Sequence, residues 1–158
     1  MNAKLQQWHQ LFSRIPDSVI AFVGRFSIAG VFWLSGQTRI EGLAINFISG
    51  EFQLGWPQLS DSAIFLFQEE YALPLLAPTT AALLAALAEH LLPVLLLFGF
   101  GTRYAALGLL VMTLVIQLFV YPGAYITHGV WACVLLYLMA HGAGKLSVDY
   151  WLARRLNG

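Results

Sequence analysis

Two charged side chains, Arg25 and Glu89, lie deep inside apolar stretches, residues 18–37 and 75–99. An unpaired charge at the bilayer centre costs about 2.5–3.5 kcal/mol on insertion scales, so such residues face a bundle interior and find partners there. At about 1.5 Å of rise per residue, Arg25 is expected about 10 Å deep and Glu89 about 15 Å deep, within reach of a long guanidinium. The two are therefore expected to form an ion pair. In a catalytic site, Arg25 would hold the anionic form of Glu89 or of a substrate, and Glu89 or His90 would transfer protons. In a structural role, the pair would fasten two helices, since a buried pair specifies packing without any chemistry.

Helical spacing places Ala82, Ala85, Ala86, Glu89 and Pro93 on one face, and small residues so spaced let neighbouring helices approach closely. Glu89 is therefore expected to point inward. Pro93 lacks an amide hydrogen, so the Glu89 carbonyl loses its helical partner, which points to a ligand pocket or to a packing kink. A second polar layer is expected farther out, lined by Gln117, His128, Gln37, Arg39, Glu69 and Glu70. His128 and Glu70 are scattered compared with a metal motif such as HExxH, and no metal site is assigned. The expectation for His128 is an interfacial histidine bonded to a loop carbonyl. Most Trp and Tyr residues fall near span ends as headgroup anchors, with Tyr71, Trp33 and Trp131 as candidates to flank a flat redox ring.

Composition says what must position these groups. The 158 residues are 59% hydrophobic and only 10% charged, with mean hydropathy +0.72, against about 25% charged residues in soluble domains. From Tyr104 to Gly144 no Asp, Glu, Lys or Arg occurs. The net charge of zero offers no basic field for nucleic acid. A lone Cys133 excludes an internal disulfide and a CxxC motif. Stretches of roughly 20 apolar residues predict four spans, at residues 18–37, 75–99, 104–121 and 125–142. Gly99-Phe100-Gly101 and Tyr121-Pro122-Gly123 supply the tight connections.

Lys4, Arg14, Arg103, Lys145, Arg154 and Arg155 then fall on one side, against Arg39 alone on the other, so both termini are expected in the cytoplasm. The outward residues 38–74 are acidic. Their apolar pieces, residues 43–48 and 63–67, read as surface-lying or re-entrant helices separated by a Gly55-Trp56-Pro57 turn, with Ser60 or Asp61 capping the second. The expected fold is all-α, a single-domain integral membrane four-helix bundle with a helical lid between the first two spans.

Several motifs occur in a fixed order. They are Arg25 in span one, Ser35-Gly36-Gln37-Thr38-Arg39 at its end, and Glu69-Glu70-Tyr71-Ala72-Leu73-Pro74 before span two. Glu89 follows within that span, then Gly99-x-Gly101-Thr102-Arg103, His128-x-x-Trp131 and Gly142-x-Gly144-x-x-Ser147-x-Asp149. This order resembles the DoxX family over about residues 20–150. The resemblance implies a four-helix bundle in the bacterial inner membrane, related to subunits of quinone-linked thiosulfate oxidation and to complexes that handle thiol or oxidative stress. Without the cysteines of dithiol chemistry, sulfur chemistry here would involve a partner or a non-covalently held substrate.

The expected function is that of a quinone-interacting or redox-accessory subunit. The quinone head would lie between spans one, two and four, Arg25 and Glu89 would manage charge, and His90 or His128 would relay protons. Gln37, Gln117 and Glu70 complete the expected ligand-binding set. The alternatives are a non-catalytic scaffold for a redox or metal-handling complex and a small transporter whose path Arg25 and Glu89 line. Haem, flavin and iron–sulfur ligand motifs are not recognisable in the sequence, which weighs against an enzyme acting alone.

Overall fold

The computed structural model describes residues 12–46 and 49–156. Lys4, used for orientation, and Ile48, at the end of the first expected outer helix, lie outside them. Four helical segments are long and apolar enough to cross a membrane, at Asp17–Gln37, Pro78–Phe98, Thr102–Val120 and Pro122–His141, each close to its expected bounds. They contain α1 (Asp17–Gln37), α3 (Pro78–Phe98), α4 (Thr102–Val115) and α5 (Tyr125–His141). Helix α1 packs on α3 and α5, α3 on α4, and α4 on α5, so the four close a ring. Inside it, Ala21, Ile28, Ala29, Phe32, Leu96, Ala105, Ala106, Leu109, Leu135 and Leu138 form one buried cluster. Small residues in this cluster permit close helix approach where lipid supplies no hydrophobic contrast. Leu83, Leu87, Leu91, Phe22 and Phe26 face outward, as a bilayer requires.

The connection from α1 to α3 departs from the all-α expectation. Residues 43–46 do not start a surface helix; β1 (Ile40–Asn46) pairs antiparallel with β2 (Glu51–Leu59) in a hairpin. The supposed turn at Gly55-Trp56-Pro57 lies within β2. The physical reason is readable in Glu51-Phe52-Gln53-Leu54-Gly55-Trp56, where polar or small residues alternate with large apolar ones at the strand period. The hairpin is tied to the last turn of α1, where Trp33 Nε1 donates to the Ile45 carbonyl (2.8 Å) and the Ile45 amide donates to Gln37 Oε1 (2.6 Å). The second piece is helical as expected. Helix α2 (Asp61–Leu66) is capped by Ser60, whose Oγ accepts from the Ala63 amide, and it runs into a π turn at Phe67–Tyr71.

A short helix α6 (Val148–Leu156) follows α5. Between α3 and α4 the chain turns through Gly99 and Gly101, both left-handed. At Gly99 (φ 67°) a Cβ would also lie 2.5 Å from Ser147 Cβ and 2.6 Å from Arg25 Nη1, so no other residue fits.

Candidate functional site

Arg25 and Glu89 are both buried, each 1% exposed, but they do not meet. Arg25 Nη1 donates to the carbonyls of Leu96 and Leu97 (3.0 Å each), and Nη2 donates to Leu146 O (2.5 Å). Side chains lean toward the N-terminus of their own helix. In antiparallel α1 and α3, equal depth therefore sends the two side chains toward opposite ends of the bundle. Arg25 satisfies last-turn carbonyls of α3, where a cation also complements the helix dipole, and it clamps the segment leading to α6.

Glu89 leans the other way and meets Arg39. Arg39 Nε donates to Glu89 Oε2, and Arg39 Nη2 and Ser35 Oγ both donate to Oε1 at 3.0 Å. Arg39 is 5% exposed, and its guanidinium lies over the rings of Phe67 (5.1 Å) and Tyr71 (5.7 Å). Burial by itself lowers its pKa, but the Glu89 carboxylate and the Tyr71 hydroxyl outweigh burial and leave it above the ordinary value. The cation is permanent. Close approach makes this possible, because a Cβ on Gly36 would sit 2.9 Å from His90 Cε1 and 3.0 Å from Glu89 Cβ.

His90 belongs to a neighbouring set. Its Nδ1 faces the Ala86 carbonyl (2.7 Å) and must donate, so Nε2 accepts from Gln37 Nε2 (2.9 Å). Gln37 Oε1 is already held by the Ile45 amide, which fixes that amide's orientation. The Trp33 ring meets His90 edge-on at 5.1 Å. Both ring nitrogens of His90 are thus engaged.

The outer residues separate into two further groups. His128 Nδ1 donates to Gln117 Oε1 (2.6 Å), and Gln117 Nε2 donates to the Pro122 carbonyl (2.7 Å), so His128 reaches the loop through Gln117 rather than directly. Glu70 accepts from the Tyr121 hydroxyl, and Tyr121 meets Tyr71 edge-on at 5.7 Å. That bond, with burial and Tyr71 adding to it, pushes the Tyr121 phenol well above its usual value. Glu70 and His128 are not brought together, and among the described residues no group of His, Cys, Asp or Glu could hold a metal ion. Trp131 packs against Phe32 (5.4 Å) and His128 (5.2 Å) inside the bundle.

Of these groups, Arg39, Phe67 and Tyr71 line an apolar cleft of about 320 Å³ between α3 and α4. Ala81, Ala85 and Ala88 of α3 and Gly108 and Met112 of α4 line it, and its charged lining residue among the described residues is Arg39, with Tyr71 beside it. Two π turns, Phe67–Tyr71 and Ile116–Val120, contribute to its lining, and such turns recur at functional sites. Ala72, closing the first, sits at φ 35°, where a non-glycine residue is strained. Arg39 and Tyr71 are absent from the ligand-binding set expected above, although Arg39 belongs to the expected outer polar layer and Tyr71 to the candidates to flank a flat ring. Arg39 was recognisable as the single cation in an acidic segment, but a cation beyond the end of a span does not advertise that it turns back into the bundle.

The DoxX family model matches residues 20–122, which takes in α1 from Ile20 onward, α2 to α4 and every residue of the Arg39–Glu89 site. The His128 and Gly142-to-Asp149 motifs lie beyond the matched residues. No curated protein and no solved structure matches the chain. Model match and four apolar helices agree, and the chain belongs to the DoxX family of multi-pass membrane proteins.

Proposed function

We propose that this protein holds the head of a quinone-like amphiphile in the α3–α4 cleft and serves as the membrane subunit of a redox complex. The observation that carries this reading is an apolar cleft with Arg39 and Tyr71 at its polar lining. At about 320 Å³ it lies at the small end of ligand pockets, which run about 300–1,000 Å³, and suits a flat ring whose tail stays in lipid. Two of the five Arg39 N–H donors go to Glu89, so the guanidinium retains donors for a ring carbonyl. Because Glu89 already neutralises Arg39, a neutral head is favoured over a carboxylate, which would bring an unpaired charge into an apolar site.

A bound quinone supplies two-electron, two-proton carrier chemistry. The chain's part is to bind and orient: Glu89 and Ser35 hold Arg39, and Arg39 and Tyr71 offer hydrogen bonds to the head. Tyr121 and Glu70, both exposed, bond to each other beside Tyr71. Electrons would come from a partner subunit. The Lys and Arg distribution supports an orientation with both termini in the cytoplasm, and the DoxX resemblance is the ground for placing the protein in a bacterial inner membrane.

A second reading, a non-catalytic scaffold for a redox or metal-handling complex, draws on the hairpin, where Leu54 and Trp56 are each 84% exposed. Organic extracts of purified wild type and Ala88→Phe, compared by oxidised-minus-reduced ultraviolet spectra, separate the two. Quinone enriched with the wild type and lost from the cleft-filling variant supports the first. Equal quinone in both extracts contradicts it.

A further inference from the structure

At the opposite end of the bundle from Glu89 lies a second cavity, of about 570 Å³. It is walled by the start of α1 at Ser18, the start of α4 at Thr102 and Arg103, and the segment after α5 from Gly142 to Lys145. Its one lining carboxylate, Asp149, is committed to the protein, because its oxygens accept from the Gly101 amide (2.7 Å) and the Thr102 amide (3.0 Å). Its His141 is also engaged, by the Tyr137 carbonyl and ring, but its Arg and Lys side chains are not. Among the described residues, neither Arg103 nor Lys145 has a side-chain hydrogen bond or ion pair. The Arg103 side chain passes over Gly142, where an added Cβ would lie 3.7 Å from Nε. Thr102, also lining the cavity, is fully buried, and its hydroxyl has no partner.

The cavity's level is set by its neighbours. It opens where three apolar spans begin or end, and the exposed rings of Tyr104 (82%) and Tyr150 (39%) line it. Amphipathic rings gather at the headgroup layer. Two uncommitted cations in a cleft at that layer match a phosphate, and basic pockets between membrane helices bind anionic lipid heads.

We propose that this cavity binds the phosphate of an anionic phospholipid, with Arg103 and Lys145 as its ligands. The inference stands apart from the α3–α4 cleft and survives its failure. Native mass spectrometry of the detergent-purified protein, titrated with phosphatidylglycerol or phosphatidylcholine, tests it. Phosphatidylglycerol is expected to be retained over phosphatidylcholine. Arg103→Gln with Lys145→Gln should weaken that retention by about fivefold for each cation removed. Each single variant should show its share, with melting in phosphatidylcholine nanodiscs unchanged. Arg154→Gln with Arg155→Gln removes the same charge outside the cavity and should weaken retention less. Equal loss in the two double variants, or none in the first, would overturn the proposal. Displacement of the lipid by millimolar inorganic phosphate would overturn the lipid assignment and leave a soluble anion as the occupant.

Discussion

Arg39 and Glu89 are joined by two hydrogen bonds, although 50 positions separate them and Arg39 lies beyond the end of its own span. Removing one partner of a buried pair costs about 3–5 kcal/mol because the other charge is left stranded. Arg39→Met and Glu89→Gln should each lower the detergent melting midpoint strongly, and the double variant should lose much less than their sum. Arg25→Met combined with Glu89→Gln should be additive, since those residues do not touch. Non-additivity in the second cycle and additivity in the first would reinstate the pair expected from depth alone.

Arg25 is expected to behave as a helix-end clamp. Its guanidinium bridges carbonyls from two separate segments, and hydrogen bonds to charged groups contribute about 1.5–3 kcal/mol each. Arg25→Lys should recover less than half of what Arg25→Met loses, because an ammonium cannot spread its donors across that span. Hydrogen exchange read at Gly99 and Phe100, whose amides close the end of α3, should rise in both variants. Full recovery with lysine would mean that charge alone matters.

The four spans were legible because membrane insertion reads composition, and composition is local. The partner of Glu89 was not, because it depends on which way a Cβ leans in two antiparallel helices. Depth counting from Cα positions discards that direction. Glu89, Ala82, Ala86 and Pro93 are buried, as spacing assigned, whereas Ala85 of the same face is half-buried and lines the cleft. The hairpin was obscured by Gly55-Trp56-Pro57, whose turn-forming residues masked the period-two alternation running through them. Asp149, named only as part of a motif, caps α4 from 47 and 48 positions away. A long-range cap leaves no local pattern, yet it explains why the Gly99-to-Arg103 and Gly142-to-Asp149 motifs occur together.

Gly36 sets the spacing between α1 and α3. His90 cannot swing aside freely, since Gln37 and the Ala86 carbonyl hold both ring nitrogens. Gly36→Ala should therefore destabilise by about 1–3 kcal/mol, as overpacking does, and disturb the neighbouring Glu89 site. A melting curve indistinguishable from wild type would show that the helices part without cost.

Tyr121 supplies a pH signature. Its phenol is held protonated by the Glu70 carboxylate, so its folded pKa is raised above the free value of about 10. The stability it contributes is full below that free value and is lost as pH rises through the raised one. In an alkaline titration followed by tyrosinate absorbance, Tyr121→Phe should delete a component that ionises later than the bulk. If the deleted component ionises with the other tyrosines, the Glu70 bond does not persist in solution.

Photolabelling most directly tests whether the α3–α4 cleft takes a quinone head. A short-tailed photoreactive quinone, irradiated with the purified protein, should label peptides carrying Tyr71, Ala88 and Met112. Excess unlabelled quinone should suppress the labelling, and Ala88→Phe should abolish it. Labelling confined to other segments, or unaffected by competition and by Ala88→Phe, would contradict the account.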